Sequence, residues 1–138
     1  MADWIYQIDG VDLNDRTNFV TADLPEVDNA TPLDSILADL SGDAPVFIRS
    51  QPTSGPITIN FHATQVIGGA TYICSEAQWP ARIAVVKALC GPGLHTISTN
   101  ARGRSSAVSV LAAFRGMAVV WKTRAISLDF IAPEPEFQ

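Results

Sequence analysis

The feature that most constrains this chain is an alternation of apolar and polar residues with period two. It is clearest in ISLDFIA near the end of the sequence, where Ile126, Leu128 and Phe130 alternate with polar residues. This pattern is typical of a strand with one buried face. Proline cannot donate to a ladder, so the prolines of the following APEPEF predict that strand pairing stops near Ala132.

The same alternation predicts strands along most of the chain. In GPITINFHATQVI, Ile57, Ile59 and Phe61 are predicted to share one face, opposite His62. WIYQIDGVDL reads as a strand with a turn at Asp9-Gly10, and shorter candidates are NFVTADL, APVFIRS and GGATYIC. LHTIST and AVSVLAAFRG flank the polar, basic stretch NARGRSS, which indicates a hairpin.

The last predicted strand, MAVVWKTRAISLDFIA, changes parity along its length. Its first half places apolar residues at odd positions (Met117, Val119) and its second half at even ones (Ile126, Leu128). A β-bulge near Lys122–Ala125 would reconcile the two halves, so we expect one closing strand with a bulge there.

Two segments have helical spacing instead. In TPLDSILADLSG, four apolar residues fall at i, i+3, i+4 and i+7 and predict a marginal helix of about two turns: Leu33, Ile36, Leu37 and Leu40. SEAQWPARIAVVKALCGPG predicts the main helix, about residues 80–90, with Pro80 at its first position. Its apolar stripe contains Trp79, Ile83, Val86 and Cys90, widened by Ala84, Ala88 and Leu89. The fold class is therefore α+β, a mainly antiparallel β-sandwich or barrel packed against one main helix.

Size and composition predict one globular domain over residues 1–138. The chain is 47% hydrophobic and 17% charged, which is typical of a folded chain. No apolar run reaches the roughly 18 residues of a membrane helix, and acids stand where the basic region of a signal peptide belongs. We expect synthesis in a cytoplasm, with Cys74 and Cys90 as buried thiols rather than a disulfide.

Charge is unevenly distributed along the chain. Residues 1–45 hold ten acids and one base, and residues 46–138 hold four acids and eight bases, giving −9 and +4 within the total of −5. One interpretation is a solvated acidic face. The other is that copies associate, acidic part against basic part, or that acids line a shared channel.

No motif for catalysis, cofactor binding or metal binding is present in the sequence. There is no P-loop, GxGxxG, GxSxG or HExxH, and His62 and His95 are not clustered with other metal ligands. We therefore expect no enzyme, no cofactor and no metal. Arg102 and Arg104 in NARGRSS are predicted to contact an acidic patch on a neighbouring subunit rather than nucleic acid, because the chain is acidic overall.

The stretch from Ala77 to Phe137 resembles the amino-terminal domain of distal tail proteins of long-tailed, siphophage-type bacteriophages. The shared features are a helix, a GPGLHTIST turn into a strand, an arginine-bearing hairpin tip, and the ending ISLDFIAPEPEF. The opening WIYQIDGVDL and the stretch IRSQPTSGPITINFHA also fit. The resemblance covers most of the chain.

The resemblance implies a fold related to tail-tube proteins and a ring, typically of six copies, in the distal tail of the virion. Such a ring joins the tail tube to the tail tip or baseplate hub and leaves an axial channel for DNA, without catalytic residues, cofactors or a membrane. Many family members continue into a second, often carbohydrate-binding-like domain, and we expect no such second domain here. A structural adaptor is therefore expected rather than direct sugar recognition.

Within this picture Phe137, after the prolines, is predicted either to anchor on a neighbouring subunit or to belong to a disordered end. The candidate acids facing the channel are Asp23, Glu26 and Asp28, which would repel DNA phosphates; a solvated outer face is the alternative.

Three other readings remain open. A tail-tube or other tail-ring protein would stack into long polymers. A small carbohydrate-binding module would need an exposed aromatic platform, whereas the available aromatics sit mostly at positions predicted to face the core: Trp4, Tyr6, Tyr72, Trp79 and Trp121. A small hydrolase would need a polar cleft with shifted pKa values, for which the sequence gives no sign.

Overall fold

A computed structural model of the protein describes residues 4–21, 23–28, 33–38 and 46–138. These residues form ten strands, one α-helix and one turn of 3-10 helix (Trp121–Thr123). The bounds are β1 Tyr6–Ile8, β2 Val11–Asp12, β3 Phe19–Val20, β4 Leu33–Ala38, β5 Val46–Pro52, β6 Gly55–Ile67, β7 Ala70–Ile73, α1 Trp79–Ala88, β8 Leu94–Thr99, β9 Val108–Val120 and β10 Ala125–Ala132.

Eight of the strands form one antiparallel sheet in the order β2-β1-β8-β9-β10-β6-β3, with β7 also paired to β6. The two ends of this sheet approach each other. The Thr21 hydroxyl, just after β3, donates to the Leu13 carbonyl oxygen at 2.8 Å, and the Thr21 N–H donates to Oδ1 of Asn14 at 3.1 Å. Because these bonds connect β3 to the residues after β2, the sheet is a nearly closed barrel.

Strand β6 changes partner along its length. Its first part pairs with β10, from Gly55↔Ala132 to His62↔Ala125. Its last part pairs with β7, from Thr64↔Ile73 to Ile67↔Ala70. The β6–β7 hairpin therefore extends the strand beyond its pairing with β10.

The core lies inside the barrel and under the helix. Period-two alternation places its largest side chains on the inner face, as predicted; the fully buried ones include Ile8, Ile59, Phe61, Ile97, Leu128 and Phe130. The helix covers this core with Val86 buried and with Trp79 and Ile83 packed against it; just after the helix, Leu89 is buried and Cys90 packs against the same core. The predicted stripe is thus confirmed, although Ala84 and Ala88 are exposed and do not widen it. Together these elements confirm the α+β class.

The start of the helix is defined by Pro80 and by a hydrogen-bonded pair of residues just before it. Pro80 lies in the first helical turn, one residue after Trp79. Ser75 and Gln78 exchange hydrogen bonds just before it: the Gln78 N–H donates to Ser75 Oγ at 3.3 Å, and the Ser75 N–H to Gln78 Oε1 at 3.4 Å. This reciprocal pair satisfies backbone donors ahead of the helix, where they lack intrahelical partners.

The predicted marginal helix in TPLDSILADLSG is wrong over its described part. Leu33–Ala38 is strand β4, paired antiparallel with β5 from Leu33↔Pro52 to Ala38↔Val46. A two-turn helix gains little from its own hydrogen bonds, so pairing with a neighbouring strand overrides a short helical pattern. Leu40 and the ends of the predicted helix lie outside the described residues.

The predicted single closing strand with a bulge near Lys122–Ala125 is also wrong. β9 ends at Val120, the chain reverses through Trp121–Thr123, and β10 begins at Ala125 antiparallel to β9. Arg124 completes the reversal in the left-handed region, at φ 55°. The parity change therefore arises from a hairpin. The register shift between these two strands lies at Asp129/Phe130 instead.

No helix in the described ranges combines the length and apolar character that crossing a membrane requires.

Candidate functional site

The arginine-bearing tip between β8 and β9 binds an acidic segment of its own chain. Nε of Arg102 donates to the Pro25 carbonyl oxygen at 2.8 Å, and its Nη2 donates to Glu26 Oε1 at 2.8 Å. Arg104 donates to the Asp28 carboxylate in the same way. The structure thus brings together both predicted interface arginines and two of the three candidate channel acids.

These ion pairs are partly open to solvent. The Arg102 side chain is 34% exposed and that of Glu26 is 67% exposed, so water and salt screen their attraction. Each such pair contributes at most about 1 kcal/mol to stability. They therefore fix the position of residues 24–28 more than they stabilise the fold, and the roles of these residues at a subunit interface or channel stay predictions.

A cleft of about 430 Å³ opens beside this segment. One wall is the chain from Asp23 to Glu26, the floor is the first half of β6 from Gly55 to Asn60, and the other wall is Pro135 with Phe137. Leu24 and Ile57 supply apolar surface, while the carboxylates supply negative charge. Asp23, the third candidate channel acid, is exposed at this cleft.

Phe137 packs against the core of its own chain. The residue is half-buried, and the segment that carries it continues beyond β10 along β9 toward the start of that strand. Ser109 and Gln138 exchange backbone hydrogen bonds of 2.8 and 2.9 Å, which hold the segment against the start of β9. Neither predicted alternative, an anchor on a neighbour or a disordered end, includes this intramolecular packing; contact with a neighbour stays a prediction.

Sequence reasoning missed a bonded pair formed by Asp9 and His95. Nδ1 of His95 lies 2.6 Å from Asp9 Oδ2, Nε2 lies 2.7 Å from the Gly91 carbonyl oxygen, and the Thr96 N–H donates to Asp9 Oδ1 at 2.9 Å. The bonds from His95 and Thr96 hold the pKa of Asp9 below its usual value. The bonds to Asp9 and Gly91 raise the pKa of His95. The pair joins the β1–β2 turn to the loop before β8.

A second missed feature is the buried Arg124. Its guanidinium carbon lies 4.3 Å from the ring centroid of Trp121 and 5.8 Å from that of Trp79. Nε donates to the Cys74 carbonyl oxygen at 3.0 Å, and Nη1 donates to the Trp121 carbonyl oxygen. Between two aromatic faces and two carbonyls, a guanidinium can be buried without a carboxylate partner.

The cysteines and acids supply no metal site within the described ranges, where no group of three or more His, Cys, Asp and Glu side chains converges. Cys74 is buried and Cys90 half-buried, both as free thiols. Burial raises the pKa of the Cys90 thiol, which favours the unreactive protonated form.

The structure is thus an antiparallel, nearly closed barrel covered by one helix. Its distinctive surfaces are the ion-paired tip and the acidic cleft. No protein-family model matches the sequence, and no curated protein matches it. Among solved structures, the chain is similar to the crystal structure of the Dit protein (gp 19.1) of phage SPP1. That protein is described as a paradigm of the hub adsorption apparatus in phages that infect Gram-positive bacteria.

The similarity to SPP1 Dit has a TM-score of 0.65 at 13% sequence identity and covers 97% of this chain. The chain spans about half the length of SPP1 Dit, 51%. At this identity the comparison shows a shared fold, and it confirms the fold expected from the resemblance to distal tail proteins.

Proposed function

We propose that this protein is a structural component of the distal end of a bacteriophage tail. Copies of the chain form a ring, of six subunits, that joins the tail tube to the tail tip or baseplate hub and leaves an axial channel through which DNA passes. The protein acts by assembly rather than by catalysis, and its place is in the virion.

The observation that carries this proposal is the extent of the shared fold with SPP1 Dit. The match runs over nearly the whole chain, including the barrel strands and the helix, rather than over one common motif. A fold alone does not fix a function, so one feature of the chain itself adds weight. Residues 1–45 are acidic and residues 46–138 basic on balance, and complementary charge favours association of copies.

Asp23, Glu26 and Asp28 retain their proposed place on the channel side. All three are exposed, and the arginine tip holds two of them in position. Because Arg102 and Arg104 offset the charges of Glu26 and Asp28, repulsion of DNA phosphates from this segment rests mainly on Asp23.

The test of this function is the mass of the purified protein in solution, measured by light scattering after size exclusion at low and at moderate salt. We expect one discrete species with the mass of a closed ring, in equilibrium with monomer as salt increases. Open-ended polymers would indicate a tube subunit instead. A monomer at every concentration and salt would contradict the proposal.

A further inference from the structure

We propose that the β6–β7 hairpin of one copy inserts into the acidic cleft of the next copy. This inference rests on the proposed function, because it names the contact that holds the ring together. The β6–β7 hairpin, residues 64–73, is called the arm here, and the cleft is the one bounded by Asp23–Glu26, the first half of β6 and Phe137.

The arm exposes an unusual amount of apolar surface. All four residues of β7 are exposed, and the exposed fractions of the large apolar side chains run from 45% to 58%: Val66, Ile67, Tyr72 and Ile73. Its turn is Gly68-Gly69, both with positive φ, so the tip is narrow. Contiguous exposed apolar surface marks an interaction site more often than isolated apolar residues do.

Further apolar residues extend this surface at the base of the arm. Ala125 of β10 stands opposite both His62 of β6 and Val120 of β9, so these three strands lie side by side where the arm begins. Val119, Val120 and Trp121 are about half exposed at this point. Two aromatic side chains expected to face the core, Tyr72 and Trp121, are thus on the surface at one end of the molecule.

The base of the arm is also cationic. Arg82 of the helix donates twice to the Thr64 carbonyl oxygen, at 3.2 Å, and the Arg124 guanidinium is buried without a carboxylate partner in the described part of the chain. Lys122 is exposed beside it. Two acids lie near these cations. Glu76 follows β7, and Asp15 already accepts three hydrogen bonds from the backbone N–H groups of residues 17–19.

The cleft has the complementary properties. Its apolar groups are Leu24, which is 45% exposed, with Ile57 and Phe137, and its charged groups are Asp23 and Glu26. Its volume of about 430 Å³ falls within the range of about 300–1,000 Å³ that accommodates bound molecules. It can therefore receive the narrow apolar tip of the arm, and its free negative charge is mainly that of Asp23, since Arg102 offsets Glu26, while the exposed cation of the arm base is Lys122.

The arm and the cleft lie at opposite ends of strand β6, so one chain cannot make this contact with itself. From Thr58 in the cleft to Gly68 at the tip the chain advances ten residues, about 33 Å for extended strand. The contact therefore joins two copies. Because the contact uses two different surfaces, it can repeat from copy to copy. The copies form a ring if the rotation between neighbours closes on itself and a filament if it does not.

The test is a mixing experiment monitored by sedimentation velocity. Ile67→Asp places a charge on the arm, and Leu24→Asp places one in the cleft; both residues are about half exposed, so the fold tolerates the change. The control is Leu111→Asp on β9, which has similar exposure and lies on neither surface. Circular dichroism and thermal unfolding of each variant verify that it is folded.

We expect the wild type and the control to assemble alike, and each of the two variants to associate at least about 30-fold more weakly. An equimolar mixture of the two variants should form dimers and nothing larger, because each pair retains one intact arm and one intact cleft. Assembly of either variant to the same extent as the wild type would overturn the proposed contact. A mixture of the two variants that stays monomeric, or a wild type that stays monomeric, would overturn it as well.

The outcomes separate this contact from the proposed function. If both variants still form closed rings, the ring stands and the arm does not hold it. If the wild type forms open filaments that both substitutions dissolve, the contact stands and the ring proposal fails.

Discussion

Nδ1 of His95 lies 2.6 Å from Oδ2 of Asp9, and the other nitrogen of the same ring faces the Gly91 carbonyl oxygen. Both partners only accept hydrogen bonds, so the imidazolium form of the ring, which donates from both nitrogens, satisfies both of them. The contacts that join the β1–β2 turn to the loop before β8 therefore favour a charged histidine paired with a carboxylate.

This pair makes stability depend on pH in a defined direction. The raised pKa of His95 gives a contribution that is complete below the ordinary value of about 6.5 and is lost as the pH rises through the raised pKa. The lowered pKa of Asp9 gives a contribution that is present above its ordinary value and is lost as the pH falls through the lowered pKa.

We expect urea unfolding at several pH values to show that His95→Gln lowers the free energy of unfolding by about 1 kcal/mol at pH 6. The loss should become smaller as the pH rises through the raised pKa of His95, where the wild-type ring loses its charge. A difference between wild type and His95→Gln that stays the same at every pH would contradict a charged His95 in the fold.

Arg124→Ala should be among the most destabilising single substitutions in the chain. It removes the guanidinium that stacks on Trp121 and the side-chain donors to the carbonyl oxygens of Cys74 and Trp121, of which the Trp121 oxygen keeps the bond from the backbone N–H of residue 124. We expect a loss of about 2–4 kcal/mol in the free energy of unfolding. Arg115→Ala, at an exposed arginine, is the control, and its effect should stay within about 0.5 kcal/mol. Equal effects of the two substitutions would show that the aromatic stacking contributes nothing.

Gly55→Ala should displace the segment after β10. A Cβ atom at residue 55 would lie 2.9 Å from Cγ and 3.0 Å from Cβ of Pro135, and a proline ring cannot move aside by rotation. We expect a cost of about 1–3 kcal/mol and faster amide exchange at Ser109 and Gln138, whose mutual hydrogen bonds depend on this docking.

The control for Gly55→Ala is Gly116→Ala, because a Cβ there meets no atom within 4 Å. Pro135→Gly in the Gly55→Ala background should recover part of the loss by removing both close ring atoms. No recovery would mean that the cost arises within β6 rather than at Pro135.

Reversal of the tip ion pair should affect assembly more than folding. Arg104→Asp places a carboxylate opposite Asp28, and we expect a loss of about 1 kcal/mol or less in the free energy of unfolding, since the pair is partly exposed. Because Asp28 follows closely on the cleft wall from Asp23 to Glu26, its release should displace that wall, and we expect clearly weaker self-association in sedimentation experiments. The double variant Arg104→Asp/Asp28→Arg should recover most of it. Failure of the double variant to recover association would separate the tip from the cleft.

Local sequence patterns correctly predicted those parts of the fold that depend only on burial of nearby side chains. The inner faces of β6 and β10 and the apolar stripe of the helix follow from period two and period 3.6, because burial alone selects those side chains. The same rules failed at Leu33–Ala38, where spacing typical of a helix occupies a strand that pairs with β5. They also failed at Arg124, where a reversal of the chain produces the same parity change as a bulge.

The side-chain contacts on the surface could not be predicted from local patterns, because they depend on pairing between strands that are distant in the sequence. Asp9 and His95 are 86 residues apart and meet because β1 pairs with β8 in the register Ile8↔Ile97. Arg102 meets Glu26 across 76 residues. The arginines and acids stand out in the sequence but were predicted to lie on separate surfaces, because their contact depends on the nearly closed barrel and not on residues adjacent in the sequence.

The proposed ring is tested most directly by negative-stain electron microscopy of the purified protein, at concentrations where light scattering detects assembly. We expect closed rings of uniform diameter with an open centre and six-fold class averages. Helical filaments without closed rings, or particles no larger than a single chain at every concentration, would contradict it.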